Sequence, residues 1–226
     1  MLIIIDKRAP VEAKERLAAF GEVAELETRG VVPEPLSGHP DIFICRVGET
    51  YAVAPQLPSG ILQAMRKRNA EIVEGTAIGH EYPACAAYNA LATDKYLICN
   101  PPAVDPAIID LAKGLTLIPV RQGFARCSAI QVGEGFITSD SGIFRKLCDL
   151  RVSALYVDPA GIQLPGYEYG LFGGCCGTHN RTLFILGSLD FFREGERVKS
   201  YAASQGVAIV ELVSGPLFDG GGLFFI

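Results

Sequence analysis

The sequence predicts an α/β protein of five pseudo-symmetric units in a ring, closed where the N- and C-terminal strands pair. Three observations predict it. A hairpin followed by a helix recurs at "CRVGETYAVAP", "NALATDKYLICN", "AIQVGEGFITSD" and "GTHNRTLFILGS". A short apolar strand follows each helix. The two chain ends carry complementary halves of a fifth unit. A repeat of this kind decides the architecture before any search for a site begins.

The second strands of the hairpins begin at Tyr51, Tyr96, Phe136 and Leu183, at intervals of 45, 40 and 47 residues. Each leads to a helix start signal. In "PSGILQAMRKRN", Ser59 is the N-cap and Ile61, Leu62 and Met65 share one face. "VDPAIIDLAKG" has Asp105 as cap, Pro106 in the first turn and Gly114 as stop. "SDSGIFRKLCD" is capped by Ser139 or Asp140 and turns Ile143, Phe144 and Leu147 inward, and "LDFFREGERVKSYAASQG" reads as the longest helix, ending at Gly206. Cap, apolar stripe and glycine stop come in the expected order. The strands "EIVEG", "LTLIPV", "VSALYV" and "VAIVEL" follow. The extra hairpin in every unit argues against a doubly wound nucleotide fold, and "GGCCG" does not match its glycine fingerprint.

The chain opens with a strand, a helix and a strand, "LIIID", "VEAKERLAAFG" and "EVAELE", and it closes with the single strand of "DGGGLFFI". Placing that last strand beside the first completes the fifth unit and removes two exposed edges. The whole chain, 1–226, then forms one domain.

Composition narrows the function classes. Hydrophobic residues make up 49% and charged residues 20%, enough for a substantial core. The net charge of -5 offers no nucleic-acid surface, and the basic run Arg66 to Arg68 reads as the wet face of a helix. The opening apolar run is too short for a signal peptide, and no stretch is long enough to span a membrane. Seven cysteines in such a chain are expected to be reduced, which places the protein in the cytoplasm. No cofactor is called for, and the oligomeric state is left open.

A ring of such units resembles the pentein, or α/β-propeller, superfamily, which includes deiminases, dimethylarginine hydrolases, amidinotransferases and a ribosome anti-association factor. "GHPDIFIC", "PVRQGFARCSAI", "ITSDSGI", "LPGYEYGLFGG" and "DGGG" more closely resemble a bacterial family within it to which no activity attaches. The resemblance implies a small-molecule site in a central channel, for a guanidino or amidino compound attacked by a cysteine. "HPD" at His39 to Asp41 resembles the deiminase element in which histidine is the acid/base and aspartate grips the cation. "DGGG" at Asp219 to Gly222 resembles the run before the nucleophilic cysteine, but here Leu223 to Ile226 follow and no cysteine does. His39 also lies earlier in the ring than the enzymes' histidine.

Candidate residues follow from the repeat register. Asp41, Ala86, Arg126 and Gly173 occupy equivalent positions and are expected to begin the first strand of each hairpin. Asp41 and Arg126 would then meet, as a polar pocket or as a structural ion pair. Cys127 is the replacement nucleophile, with Arg126 favouring its thiolate or binding a substrate carboxylate, against the reading of a small buried core thiol. His39 is the acid/base, although "SGHPD" also reads as a turn; His80 lies in a loop. Arg126, Asn89, Ser128, Asp140 and Asp219 are candidate substrate contacts, and Gln122 is a further polar residue near a blade end. Asp140 serves equally as a helix cap, and Asp219 as the shaper of the glycine turn. "CCGTH" lacks a second ligand pair, so no metal site is expected; Gly173 to Cys175 instead bring backbone close to a neighbouring blade, with His179 and Asn180 in a hairpin turn. The alternative function is a non-catalytic ligand- or protein-binding member of the same fold.

Overall fold

The computed structural model describes Met1–Ile226. The first elements are β1 (Leu2–Asp6), α1 (Val11–Leu17) and β2 (Glu22–Leu26). The next unit holds α2 (Pro40–Phe43), β3 (Ile44–Val47), β4 (Thr50–Val53), α3 (Ser59–Lys67) and β5 (Glu71–Glu74). Then come β6 (Leu91–Ala92), β7 (Tyr96–Cys99), α4 (Pro106–Leu111) and β8 (Thr116–Pro119). After these are α5 (Ala125–Ser128), β9 (Ala129–Val132), β10 (Gly135–Thr138), α6 (Ser141–Asp149) and β11 (Ala154–Tyr156). The chain finishes with β12 (Cys176–His179), β13 (Thr182–Ile185), α7 (Gly195–Ser204), β14 (Ala208–Glu211) and β15 (Phe224–Phe225).

These strands form five separate three-stranded sheets, none closed on itself. In four of them an antiparallel hairpin is extended by a parallel strand that returns after the helix. The fifth joins the chain ends. Ile3 pairs with Phe225 and Ile4 with Phe224, antiparallel, while β2 runs parallel on the other side of β1. Leu2 N donates to Ile226 O at 2.7 Å and Ile226 N donates to Leu2 O at 2.9 Å. The expected terminal pairing is therefore present, and it satisfies an edge of the fully buried strand β1.

Four of the seven helices, α1, α3, α6 and α7, bury an i, i+4 pair against the sheets: Ala13 and Leu17, Ile61 and Met65, Ile143 and Leu147, Val198 and Ala202. That spacing stacks two side chains on one face of a short helix. Burial of each large member contributes about 1.5–3 kcal/mol. Asp105 caps α4 by accepting from Ala107 N at 2.8 Å, and Asp140 caps α6 by accepting from Ile143 N at 2.7 Å.

Several local expectations need correction. Ser59 is the first helical residue rather than a cap, because Pro58, with fixed φ, takes the N-cap position. The segment expected as one long helix splits into a short 3-10 turn at Leu189–Phe191 and α7. His179 ends β12 opposite Thr182, and the turn is Asn180-Arg181, both at positive φ. Asp41, Arg126 and Gly173 do not begin strands. They lie in single helical turns that abut β3, β9 and β12. Ala86 also misses the register. Val53, Cys99, Thr138 and Ile185 are equivalent, each accepting from the residue that follows the returning strand, and with Thr93 N donating to Tyr96 O the second hairpin is as long as the others. Its register, continued to Ala90 opposite Cys99, puts Ala87 at that position and Asn89 level with Ser128.

No helix is long and apolar enough to cross a membrane.

Candidate functional site

The helical turns aim polar side chains inward from different units. α2 supplies Asp41, with His39 as its N-cap residue, and α5 supplies Arg126, Cys127 and Ser128. Asn89 precedes β6, Asp219 precedes β15, and Asp6 ends β1. All of these side chains are buried.

Cys127 Sγ donates to Asp41 Oδ2 at 2.8 Å and lies 4.0 Å from Asp219 Oδ1. His39 Nδ1 is 4.0 Å from Asp219 Oδ1, and His39 Nε2 is 3.9 Å from Asp6 Oδ2. One donor atom each from His39, Cys127 and Asp219 can be chosen so that all three lie within 4.8 Å of one another. Neither ring nitrogen of His39 has a hydrogen-bond partner, and neither do Asp41 Oδ1 and Ser128 Oγ. Buried polar atoms are ordinarily satisfied, so the unpartnered atoms of His39 and Asp41 beside the thiol mark a place shaped for an occupant.

The surrounding chain is built to allow this approach. A Cβ on Gly38 would run into the Asp6 carboxylate, and one on Gly174 would run into that of Asp219. Gly221, at φ +68, lies against His39. Asp6 is gripped by Arg8 through Nε at 3.0 Å and Nη2 at 2.6 Å. Asp219 accepts from Leu171 N at 2.7 Å and Gly221 N at 3.1 Å, so it does shape the glycine turn while facing the cluster.

Burial pushes the Cys127 thiol well above its ordinary range, and the Asp41 and Asp219 carboxylates push it further; Arg126 opposes them and is outweighed. Burial likewise lifts Asp41 to about 6 against the pull of Arg126 and the Cys127 hydrogen bond. His39 is lowered by burial in spite of Asp219 and Asp6. The resting cluster therefore holds a protonated thiol beside a neutral imidazole, and Arg126 does not deliver the thiolate expected of it.

Arg126 does not ion-pair with Asp41. Its Nη1 donates to Gly173 O at 2.8 Å and its Nη2 to Cys176 O at 2.9 Å, with the guanidinium over Phe224. It lines a cavity of about 120 Å3 to which residues from β3, β6, β9, β12 and β15 contribute, including Arg46, Leu91, Gln131, Thr178 and Phe224. Asn89 is a clasp: its Oδ1 accepts from Cys127 N at 3.0 Å and its Nδ2 donates to Asp41 O at 3.4 Å. Asp140 is committed to the cap of α6 and to Gln122 Nε2 at 3.2 Å. His80 is exposed and faces Glu81. Sequence reasoning passed over Asp6, although a lone carboxylate ending an otherwise apolar strand was a readable signal.

The profile of a family of unknown function, DUF6873, matches residues 4–224. The chain belongs to that family. No curated protein matches it. Solved structures resemble this DUF6873 chain more widely. A cysteine-to-serine mutant of DDAH from Pseudomonas aeruginosa, in complex with citrulline, aligns at TM-score 0.56 and 8% identity, over 93% of this chain and 91% of that one. An amidinotransferase of saxitoxin biosynthesis from Microseira wollei aligns at TM-score 0.52 and 10% identity, over 93% and 88%. The inosamine-phosphate amidinotransferase of Streptomyces griseus gives TM-score 0.52 and 10% identity, over 89% and 72%. This chain thus shares the pentein-type fold of these structures. At these identities the likeness speaks for the fold alone.

Proposed function

We propose that the protein is a cytoplasmic, single-domain α/β-propeller, closed by its paired ends, that acts on a small guanidino or amidino compound. The observation that carries this reading is the enclosure of Cys127, His39 and Asp219 within 4.8 Å, with Asp41 hydrogen-bonded to the thiol. Closure is supported by the β1–β15 pairing and by a cavity lined from all five inner strands. Similarity to a DDAH and to amidinotransferases supports the substrate class, and seven free cysteines support a reducing compartment.

In this reading an amidinium cation between Asp41 and Asp219 offsets the two carboxylates that hold the thiol proton. The proton passes to His39, which Asp6 orients, and Cys127 Sγ bonds to the amidine carbon. The carbon–nitrogen bond to the departing amine then breaks, the amine taking the proton from His39. Water, deprotonated by His39, attacks the thiouronium carbon, the carbon–sulfur bond breaks, and His39 returns the proton to the departing Cys127 thiolate.

A second reading, binding without turnover, is favoured by the burial of the cluster and by the lack of a cysteine after the terminal glycine run. The test is amine or ammonia release from a panel of guanidino and amidino compounds. Turnover of a panel member, lost in Cys127→Ser, supports the enzyme. Saturable binding with no release supports the second reading and overturns the first.

A further inference from the structure

The occupant for which His39, Cys127 and Asp219 are shaped need not be organic. We propose that these three side chains, with Asp41 as fourth donor, form a binding site for a divalent ion of the zinc class. A thiol, an imidazole and two carboxylates are a donor set for a borderline ion of this kind.

Three features of the cluster point to a cation. The His39 ring is fully buried, is aimed between Asp219 and Asp6, and has no hydrogen-bond partner on either nitrogen. If Nδ1, on the Asp219 side, meets the ion, Nε2–H faces the Asp6 carboxylate at 3.9 Å. Ligating histidines ordinarily donate their second ring N–H to a carboxylate, and Arg8 fixes this one in place. Charge agrees with geometry. Arg8 neutralises Asp6, whereas Asp41 and Asp219 enclose the thiol and neither forms an ion pair with an Arg or Lys.

The spacing is slightly open. Zinc bonds of about 2.0–2.3 Å place tetrahedral donors about 3.3–3.8 Å apart. The observed 4.0 Å separations from Asp219 to Sγ and Nδ1 require a contraction of under about 1 Å, and the Cys127–His39 pair, within 4.8 Å, one of up to about 1.5 Å. Asp41 stands outside that grouping, so its carboxylate must turn towards the ion while Oδ2 and Sγ, now 2.8 Å apart, open by roughly 0.5–1 Å. On binding, Sγ exchanges its proton for the metal, the proton leaves to solvent, and no electron is transferred. The S–H donation to Asp41 is thereby lost and Asp41 Oδ2 becomes a ligand.

The inference does not rest on the amidine reading. A chain that holds the ion and turns over no amidine upholds the one and not the other.

The test is to produce the full chain in medium with cobalt as the only added transition metal. We expect cobalt equimolar with protein and a thiolate-to-cobalt absorption band. Cys127→Ser loses the band, Cys148→Ser keeps it, and Asp6→Asn keeps it with cobalt bound about 10–100-fold more weakly in chelator competition. Should Cys127→Ser fail to fold, the wild-type chain decides: cobalt shields Cys127 from alkylation until a chelator is added. Protein without cobalt, a band that survives Cys127→Ser, or Cys127 alkylated equally with and without metal overturns the proposal.

Discussion

Cys127 Sγ and Asp41 Oδ2 are 2.8 Å apart, although the two residues stand 86 positions apart in the chain. The contact joins two one-turn helices from different units, and Asn89 of the unit between them hydrogen-bonds to both. The site is therefore a property of how units are registered against one another, and the first predictions address that registration.

Asn89→Ala removes the acceptor of Cys127 N and leaves a buried donor unpaired. The expected cost is about 1–3 kcal/mol in urea denaturation. A loss below a few tenths of a kcal/mol would show that the turns hold their positions without the clasp.

Phe225 ties the last strand to its surroundings, with ring centroids 4.8 Å from Phe184 and 5.4 Å from His179. Phe225→Ala should cost about 3–5 kcal/mol. Deleting residues 222–226 bares the edge of β1 and should convert monodisperse protein into aggregate in light scattering.

Two glycines should respond in opposite directions. Gly174→Ala drives a methyl into the Asp219 carboxylate and is expected to destabilise by about 1–3 kcal/mol. Gly60, inside α3 with nothing within 4 Å of an added Cβ, should gain about 0.5–1 kcal/mol on becoming alanine. Equal responses at the two sites would refute the proposed packing around Asp219.

Thiol titration supplies a pH prediction. Burial pushes Cys45 up to about 12 and Cys99 up to about 11 from an ordinary 9.0. Below pH 9 both are protonated in the folded and unfolded chain alike, and stability is undiminished. As pH rises from 9 towards 11 and 12 the unfolded thiols ionise first, so stability should fall across that window. Iodoacetamide at pH 8 should modify exposed Cys148 and spare Cys45 and Cys99.

Hairpins, caps and helix stops are legible in the sequence because each leaves a signature within ten or so residues. The terminal pairing is legible because two half-units demand each other. What escapes is long-range and sub-unit in scale. A one-residue offset in the second unit, where Leu97 rather than Tyr96 stands level with Tyr51, shifts the register from Ala86 to Ala87 and brings Asn89 level with Ser128. The direction of the Arg126 side chain, towards the carbonyls of Gly173 and Cys176, depends on backbone approaches that only glycines 173 and 222 permit. Asp6 is marked in the sequence as a lone carboxylate ending an apolar strand, but its partner is not: the approach to His39 depends on Gly38, 32 positions away.

The pairing of Cys127 with His39 is tested most directly by comparing the alkylation rate of Cys127 by chloroacetamidine with that by neutral chloroacetamide, using peptide mass spectrometry. The account predicts that the cationic reagent reacts about a hundredfold faster or more, and that this preference disappears in His39→Gln. Equal rates for the two reagents, or modification confined to Cys148, would contradict it.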